Sequence, residues 1–248
     1  MHNAYRFELK KSIHSKMLYI CAGLILGLNI LEWAIKNFLA PAEVAAELSN
    51  GAANLGAYVN GWLIELTRGG FFIMLMLALA VVMTTEEYSK GLFKATLTMV
   101  SRRQMAAGKL LAMMTLSGFW VLVAFISAGI AGFFGYSLPV AGMGNTLWVA
   151  LGCWLVANAF GMVYMFIFIH LEKPLAAVGL GFLLYIVLSF AQMLVGANYL
   201  PFLIGSVTHL LSQVTLGHLM VVYGNALVYG IVAGLLFVLA LNKKEILL

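Results

Sequence analysis

Charge is what this chain has least of: 14 Lys and Arg and nine Asp and Glu stand among 248 residues, only 9% of the total. With 63% hydrophobic residues and a mean hydropathy of +1.01, a soluble domain would expose large apolar patches. Two cysteines, Cys21 and Cys153, give neither a disulfide framework nor metal-ligand spacing, and both fall in apolar stretches as small packing residues. The connections 135–146 and 198–219 carry no Lys, Arg, Asp or Glu at all. No small-residue cleavage site follows a short apolar core near the N-terminus, so the first apolar stretch is expected to remain as an anchor rather than leave as a signal peptide.

What is present is long hydrophobic runs. A helix rising about 1.5 Å per residue needs roughly 20 apolar residues to cross a hydrocarbon core. Six stretches qualify: Met17–Leu39, Trp62–Met83, Leu110–Phe134, Leu147–Ile169, Leu175–Ala197 and Met220–Leu241. The runs are continuous, where barrel strands would alternate, so the expected fold is an all-α integral membrane protein of six transmembrane helices. One transmembrane domain spans 1–248: an N-terminal interfacial helix at 1–16, spans one and two in 17–83, a polar connection at 84–109, and spans three to six in 110–248.

Twelve of the 14 basic residues fall on one side of these spans, and only Lys36 and Arg68 lie toward the other. The positive-inside rule then places both termini in the cytoplasm of a multi-pass cell-membrane protein. The net charge of +5 is this topological signal, and nucleic acid is not an expected partner. Ahead of span one, Tyr5, Leu9 and Ile13 recur four apart with Phe7 nearby, and Arg6, Lys10, Lys11, His14 and Lys16 take other faces. That pattern suits a basic amphipathic helix lying in the interface, or simply a basic flank that anchors topology.

At the outer side, Pro41, Glu43 and Glu47 fit a short helix before a Gly/Asn-rich stretch. Glu32 and Lys36 near the end of span one, and Glu65 and Arg68 near the start of span two, form a possible polar cluster. Pairing is open both within each helix and across them, as Glu32 with Arg68 or Lys36 with Glu65, and the cluster reads either as ion pairs fixing two helices or as a substrate-facing patch. Gly23/Gly27 and Gly230/Gly234 are spaced for close helix approach. His209 and His218, nine apart in sequence without a nearby carboxylate or cysteine, do not make a metal site, and no resident metal or cofactor is expected.

The segment from Thr84 to Lys109 holds seven of the charged residues. Thr84 with Glu87 reads as a capping box opening a short helix, along which Tyr88, Leu92, Phe93 and Leu97 recur near a 3.6-residue period. After Val100, Arg102, Arg103 and Lys109 read as headgroup-level cations returning the chain to the membrane. Gly108-Lys109 resembles the end of a phosphate loop, but Leu110 follows and Arg103 stands where glycine is needed.

With Glu87 and Gly91 four apart, then Leu97-Thr98, Ser101-Arg102 and Gly108-Lys109, this connection resembles that of ABC-2 type transporter permeases, and FELKKSIHSK is similar to their elbow helix. It departs from the pattern at Leu92, a frequent Thr, and at Met99, a frequent Pro. The resemblance implies that Glu87, Tyr88, Gly91, Leu92, Phe93 and Lys94 form a coupling helix docking into a separate ATP-binding subunit. ATP and Mg would then reside on that partner, this chain would be no enzyme, and two permease copies, identical or related, would enclose one pathway.

An uncharged, Met-rich and aromatic interior suits an amphipathic or hydrophobic cargo. The resemblance favours a peptide such as a bacteriocin or toxin, in export or immunity, with drugs or lipids also open. Trp120, Phe125, Phe160, Met162, Tyr164, Phe166 and Met193 could line the path or face lipid.

Two other classes compete. A secondary transporter or channel usually carries charged or broken-helix sites near the midplane, whereas spans three to six hold only Asn158, Gln192 and Asn225 as strongly polar residues. An intramembrane hydrolase could use Glu86-Glu87, but Gly91 stands where an Arg is needed. His170, His209 and His218 complete no metal site, and Ser206 with His209 lacks a nucleophile motif.

Overall fold

A computed structural model describes residues 2–13, 16–34, 52–86, 100–171, 173–195 and 216–243. Among them the chain is all-helical. Three helical stretches, Arg102–Gly135, Met143–Phe168 and Met220–Lys243, are long and apolar enough to cross a membrane. A fourth crossing arises if the bent pair Leu55–Arg68 and Phe71–Thr85 is one span, and shorter apolar helices cover Tyr19–Glu32 and Pro174–Phe190.

In chain order the helices are α1 (His2–Ile13), α2 (Lys16–Ala34), α3 (Leu55–Arg68), α4 (Phe71–Val81), α5 (Arg102–Ile130), α6 (Thr146–Phe168), α7 (Pro174–Val195) and α8 (Leu216–Lys243). One π-helical turn, Val82–Glu86, extends α4, and another, Ala131–Gly135, extends α5. Helix α6 is central, with α8, α4, α3 and α5 packed around it. Its buried face carries Val149, Cys153, Val156, Phe160 and Tyr164, and Tyr164 stacks on Phe168 with ring centroids 5.5 Å apart. Gly230 and Gly234 on α8 approach the sulfur of Met162, which is the close helix contact expected of that glycine pair. Around Gly23 and Gly27 the space is open.

Polar residues inside the bundle bond to one another. Trp154 Nε1 donates to Ser117 Oγ at 3.0 Å, Ser117 Oγ donates to Asn158 Oδ1 at 3.0 Å, and Asn158 Nδ2 donates to the Trp154 carbonyl at 2.7 Å. This closed set joins α5 to α6, so Asn158 serves helix packing. Both cysteines are buried, and Cys153 Sγ lies 3.6 Å from the Leu63 carbonyl.

Three expectations are corrected here. Span two is not one straight helix from Trp62. It begins at Leu55, where Asn54 Oδ1 caps Ala57 N at 2.9 Å, and it bends by 50° between Arg68 and Phe71. The cause is Gly69-Gly70: Gly70 sits at φ +81°, a left-handed conformation that L side chains rarely adopt, and the Tyr185 ring of α7 packs directly against it.

Thr84 is not a helix N-cap. It is buried in the π turn and its hydroxyl donates backward to the Ala80 carbonyl, as Thr85 does to Val81 at 3.1 Å. A hydroxyl satisfied by the preceding turn is consistent with a helix that has not yet ended. The return to α5 is itself helical from Arg102, opened by a capping box between Ser101 and Gln104.

Candidate functional site

The polar side chains gather at three levels of the bundle. At one end, α1 lies against the beginning of α5. The face it buries is Ala4, Glu8 and Ser12, flanked by Tyr5 and Leu9, while Phe7 and Ile13 point outward at 49% and 40% exposure. The expected apolar stripe through Ile13 is therefore displaced. Its centre is a carboxylate, because Lys109 of α5 waits beneath it: Lys109 Nζ lies 2.9 Å from Glu8 Oε1, and the two side chains are 0% and 1% exposed. Lys11 flanks the pair at 3.6 Å from Glu8 Oε2.

Lys109 is thus not a snorkelling headgroup cation. Desolvating one such charge is costly, so each member depends on the other for its burial. The helices meet closely because residue 108 is glycine: a Cβ there would come within 2.9 Å of the Ala4 carbonyl carbon. Tyr5 Oη and Thr115 Oγ1, 3.2 Å apart, add a second tie. Arg102, two turns earlier, donates to the Asn242 carbonyl at 3.0 Å and so links α5 to the last turn of α8.

At the opposite end, Glu32 of α2 accepts from Tyr136 Oη at 3.1 Å and from Tyr58 Oη at 3.4 Å, and the two phenol rings lie 5.0 Å apart. Burial first, and then the Glu32 carboxylate, push the Tyr136 phenol well above the ordinary tyrosine range, so it stays a donor. The loop after α5 holds this arrangement in register, since Leu55 N donates to the Pro139 carbonyl and Gly56 N to the Ala141 carbonyl, both at 3.0 Å. These bonds satisfy two of the amides left open at the start of α3.

Between the two ends lies the bend of α3 into α4. Of the pairings open in the sequence, the one within α3 is formed: Arg68 Nη1 lies 3.4 Å from Glu65 Oε1, with side chains 50% and 46% exposed. Gly70 is level with Tyr185, which stands half-way along α7. An exposed ion pair thus stands beside a broken helix, two turns along α3 from Tyr58. Glu32 and the pair Glu65–Arg68 do not share one level as the sequence suggested. Lys36 lies outside the described residues.

Glu87, Tyr88, Gly91, Leu92, Phe93 and Lys94 also lie outside the described residues, as does His209. The described chain nevertheless fixes both ends of that segment, at the buried π turn before it and at the capped start of α5 after it. Of the residues weighed as pathway lining, Trp120, Phe160 and Tyr164 are buried in the core at 1%, 3% and 0% exposure. They neither face lipid nor line an open path within this chain. Phe125, Met162 and Phe166 are partly buried against that core, and the Met193 side chain is outside the described set. Among the described residues there is no group of three or more His, Cys, Asp and Glu side chains able to hold a metal.

Sequence reasoning missed Glu8 as the buried partner of Lys109. The available signal was a lone carboxylate in an otherwise basic lead, one turn from Ser12 and Ala4 on the same helix face. No protein-family model matches this sequence, and no curated protein is significantly similar to it.

Proposed function

We propose that this chain is the permease subunit of an ATP-driven ABC exporter of the ABC-2 type. In this reading six helices cross the cytoplasmic membrane with both termini in the cytoplasm, α1 is the elbow helix, and residues 84–109 carry the coupling helix. The ATP-binding cassette subunits bind ATP and Mg, two permease copies form the pathway, and the cargo is an amphipathic or hydrophobic molecule, a peptide in the favoured case.

The observation that carries the reading is the buried Glu8–Lys109 pair. It fastens the N-terminal helix to α5 about two turns past the capped start at which the coupling segment re-enters the bundle. A push on that segment reaches α1 and α5 as one body, and the glycine bend between α3 and α4 supplies a place where the preceding span can yield. Rigid-body coupling of this kind needs a stiff connection on one side and a hinge on the other.

A photoreactive amino acid placed at Tyr88 or Leu92 tests the docking in living cells. The reading expects covalent adducts with one ATP-binding cassette subunit, lost in a Gly91→Pro background. Adducts with lipid alone would refute it.

A second reading rests on the bend itself. Broken helices bearing charged groups at depth are characteristic of secondary transporters, and Glu65, Arg68 and Gly70 have that form. Uptake or efflux driven by a proton or sodium gradient, abolished by Arg68→Gln and indifferent to ATP, would favour it.

A further inference from the structure

Near the Glu32 end of the bundle, α2 and α5 part around a cavity of about 370 Å³, a size within the range of small-molecule sites, roughly 300–1,000 Å³. Leu26, Asn29 and Ile30 line it from α2, and Ser127, Ile130 and Phe134 line it from α5 and the π turn that follows. Its rim is apolar and outward-facing, since Leu26, Ile30, Ile130 and Phe134 are all substantially exposed. The π turn at Ala131–Gly135 widens the end of α5, and such local expansions of helices recur at functional sites.

One polar atom in this apolar space is unanswered. Asn29 is 4% exposed, and its amide nitrogen donates to Ser127 Oγ at 2.9 Å and to the Ile25 carbonyl at 3.2 Å. A carbonyl only accepts, and the Ser127 hydroxyl gives its proton to the Ala124 carbonyl at 3.1 Å, so the nitrogen must occupy this side of the amide. Asn29 Oδ1 is then left buried without a hydrogen-bond partner among the described residues. A buried acceptor in that state carries a desolvation penalty that a donor would relieve. Water is a poor answer, because an ordered water needs two to four polar partners, and beside Asn29 the lining side chains offer only the Ser127 hydroxyl, already bonded to Asn29 and to the Ala124 carbonyl.

We propose that this cavity binds a bilayer-resident amphiphile with an apolar chain and a single hydroxyl or amide N–H, which donates to Asn29 Oδ1. The position suits the donor. Counting from the buried Lys109 to Ser127, α5 rises about 27 Å, close to the roughly 30 Å of a bilayer's hydrocarbon core. A hydroxyl or amide at the boundary between headgroups and acyl chains reaches Asn29 while its chain lies against the exposed side chains of Leu26, Ile30 and Ile130. The inference rests on membrane embedding alone and stands or falls independently of the exporter reading.

The test uses the full chain in lipid nanodiscs with two probes, hexadecanol carrying a diazirine on its chain and the corresponding methyl ether, which has no donor. Photolabelling is read by peptide mass spectrometry over Ile30, Ile130 and Phe134. The proposal expects the alcohol to label these residues roughly tenfold more than the ether, the scale of relieving one buried unsatisfied group. Asn29→Leu should bring the alcohol down to the level of the ether while ether labelling persists, which shows that the cavity still folds. Ile30→Trp, which fills the space, should reduce both. Equal labelling by the two probes in the unaltered chain, or an alcohol preference that survives Asn29→Leu, would overturn the proposal. So would absent labelling together with ready disulfide formation between two copies carrying Ile30→Cys, the result expected if a second copy covers the cavity.

Discussion

Lys109 and Glu8, far apart in the chain, meet at 2.9 Å with almost no exposure of either side chain. Removing one partner from such a pair leaves an uncompensated buried charge, whereas replacing both by apolar groups of similar size is often tolerated. Lys109→Met alone should therefore destabilise the protein by about 3–5 kcal/mol, read as a lowered unfolding midpoint in detergent. Glu8→Met with Lys109→Met should recover most of that loss. Additive destabilisation by the two changes would refute the pairing.

Gly108 sets how closely α1 approaches α5. Gly108→Leu should lower the unfolding midpoint in detergent, because the new side chain enters the space of the Ala4 backbone. Tyr5→Phe, which removes only the hydroxyl 3.2 Å from Thr115 Oγ1, should cost no more than about 0.5–1.5 kcal/mol. An unchanged midpoint in Gly108→Leu would mean that α1 docks without this contact.

Gly70 faces two separate obstacles to replacement, its backbone angle and the Tyr185 ring. Gly70→Ala should destabilise the protein through both. Gly70→Ala combined with Tyr185→Ala should cost less than the sum of the single changes, leaving a residual backbone strain of about 1–2 kcal/mol in the thermal midpoint.

Tyr136 lies closer to Glu32 than Tyr58 does, at 3.1 Å against 3.4 Å. Tyr136→Phe should therefore lower stability more than Tyr58→Phe, with an upper scale of about 1.5–3 kcal/mol for a hydrogen bond to a charged group. The sign of the pH effect follows from the raised phenol pKa. Tyr136 contributes stability that is full below the ordinary tyrosine value of about 10 and is lost as pH rises through the higher folded value. The alkaline loss of stability should be shallower in Tyr136→Phe than in the unaltered protein.

The parts legible in the sequence were those fixed by local composition. The expected span Leu147–Ile169 differs by one residue at each end from α6, because the apolar run stops at Asn145 on one side and at His170-Leu171 on the other. The small-residue pair Gly230/Gly234 likewise found its neighbour on α6. The bend in span two was visible only as Gly69-Gly70 inside an apolar stretch, and hydropathy alone reads through glycine without a break. Lys109 was misjudged for a different reason: a basic residue at a span's start reads as an interfacial cation until its partner is known, and Glu8 reaches it only through tertiary packing. For Thr84, the local pattern fitted a cap, but the continuing helix used the hydroxyl first. The cavity beside Asn29 had no sequence signature, since one asparagine in an apolar helix does not reveal which of its atoms goes unanswered.

The drive that an ATP-binding cassette partner is proposed to exert on this chain passes through residues 87–94. Its most direct test is the nucleotide hydrolysis of the complex purified from its native membrane by a tag on this chain. The account predicts vanadate-sensitive ATP turnover that co-purifies with the unaltered chain, is missing from the chain stripped of partners, and is lost or uncoupled in Glu87→Ala and Gly91→Pro proteins that still insert in the membrane. A chain that purifies without any ATP-hydrolysing partner, or turnover identical in all three proteins, would contradict it.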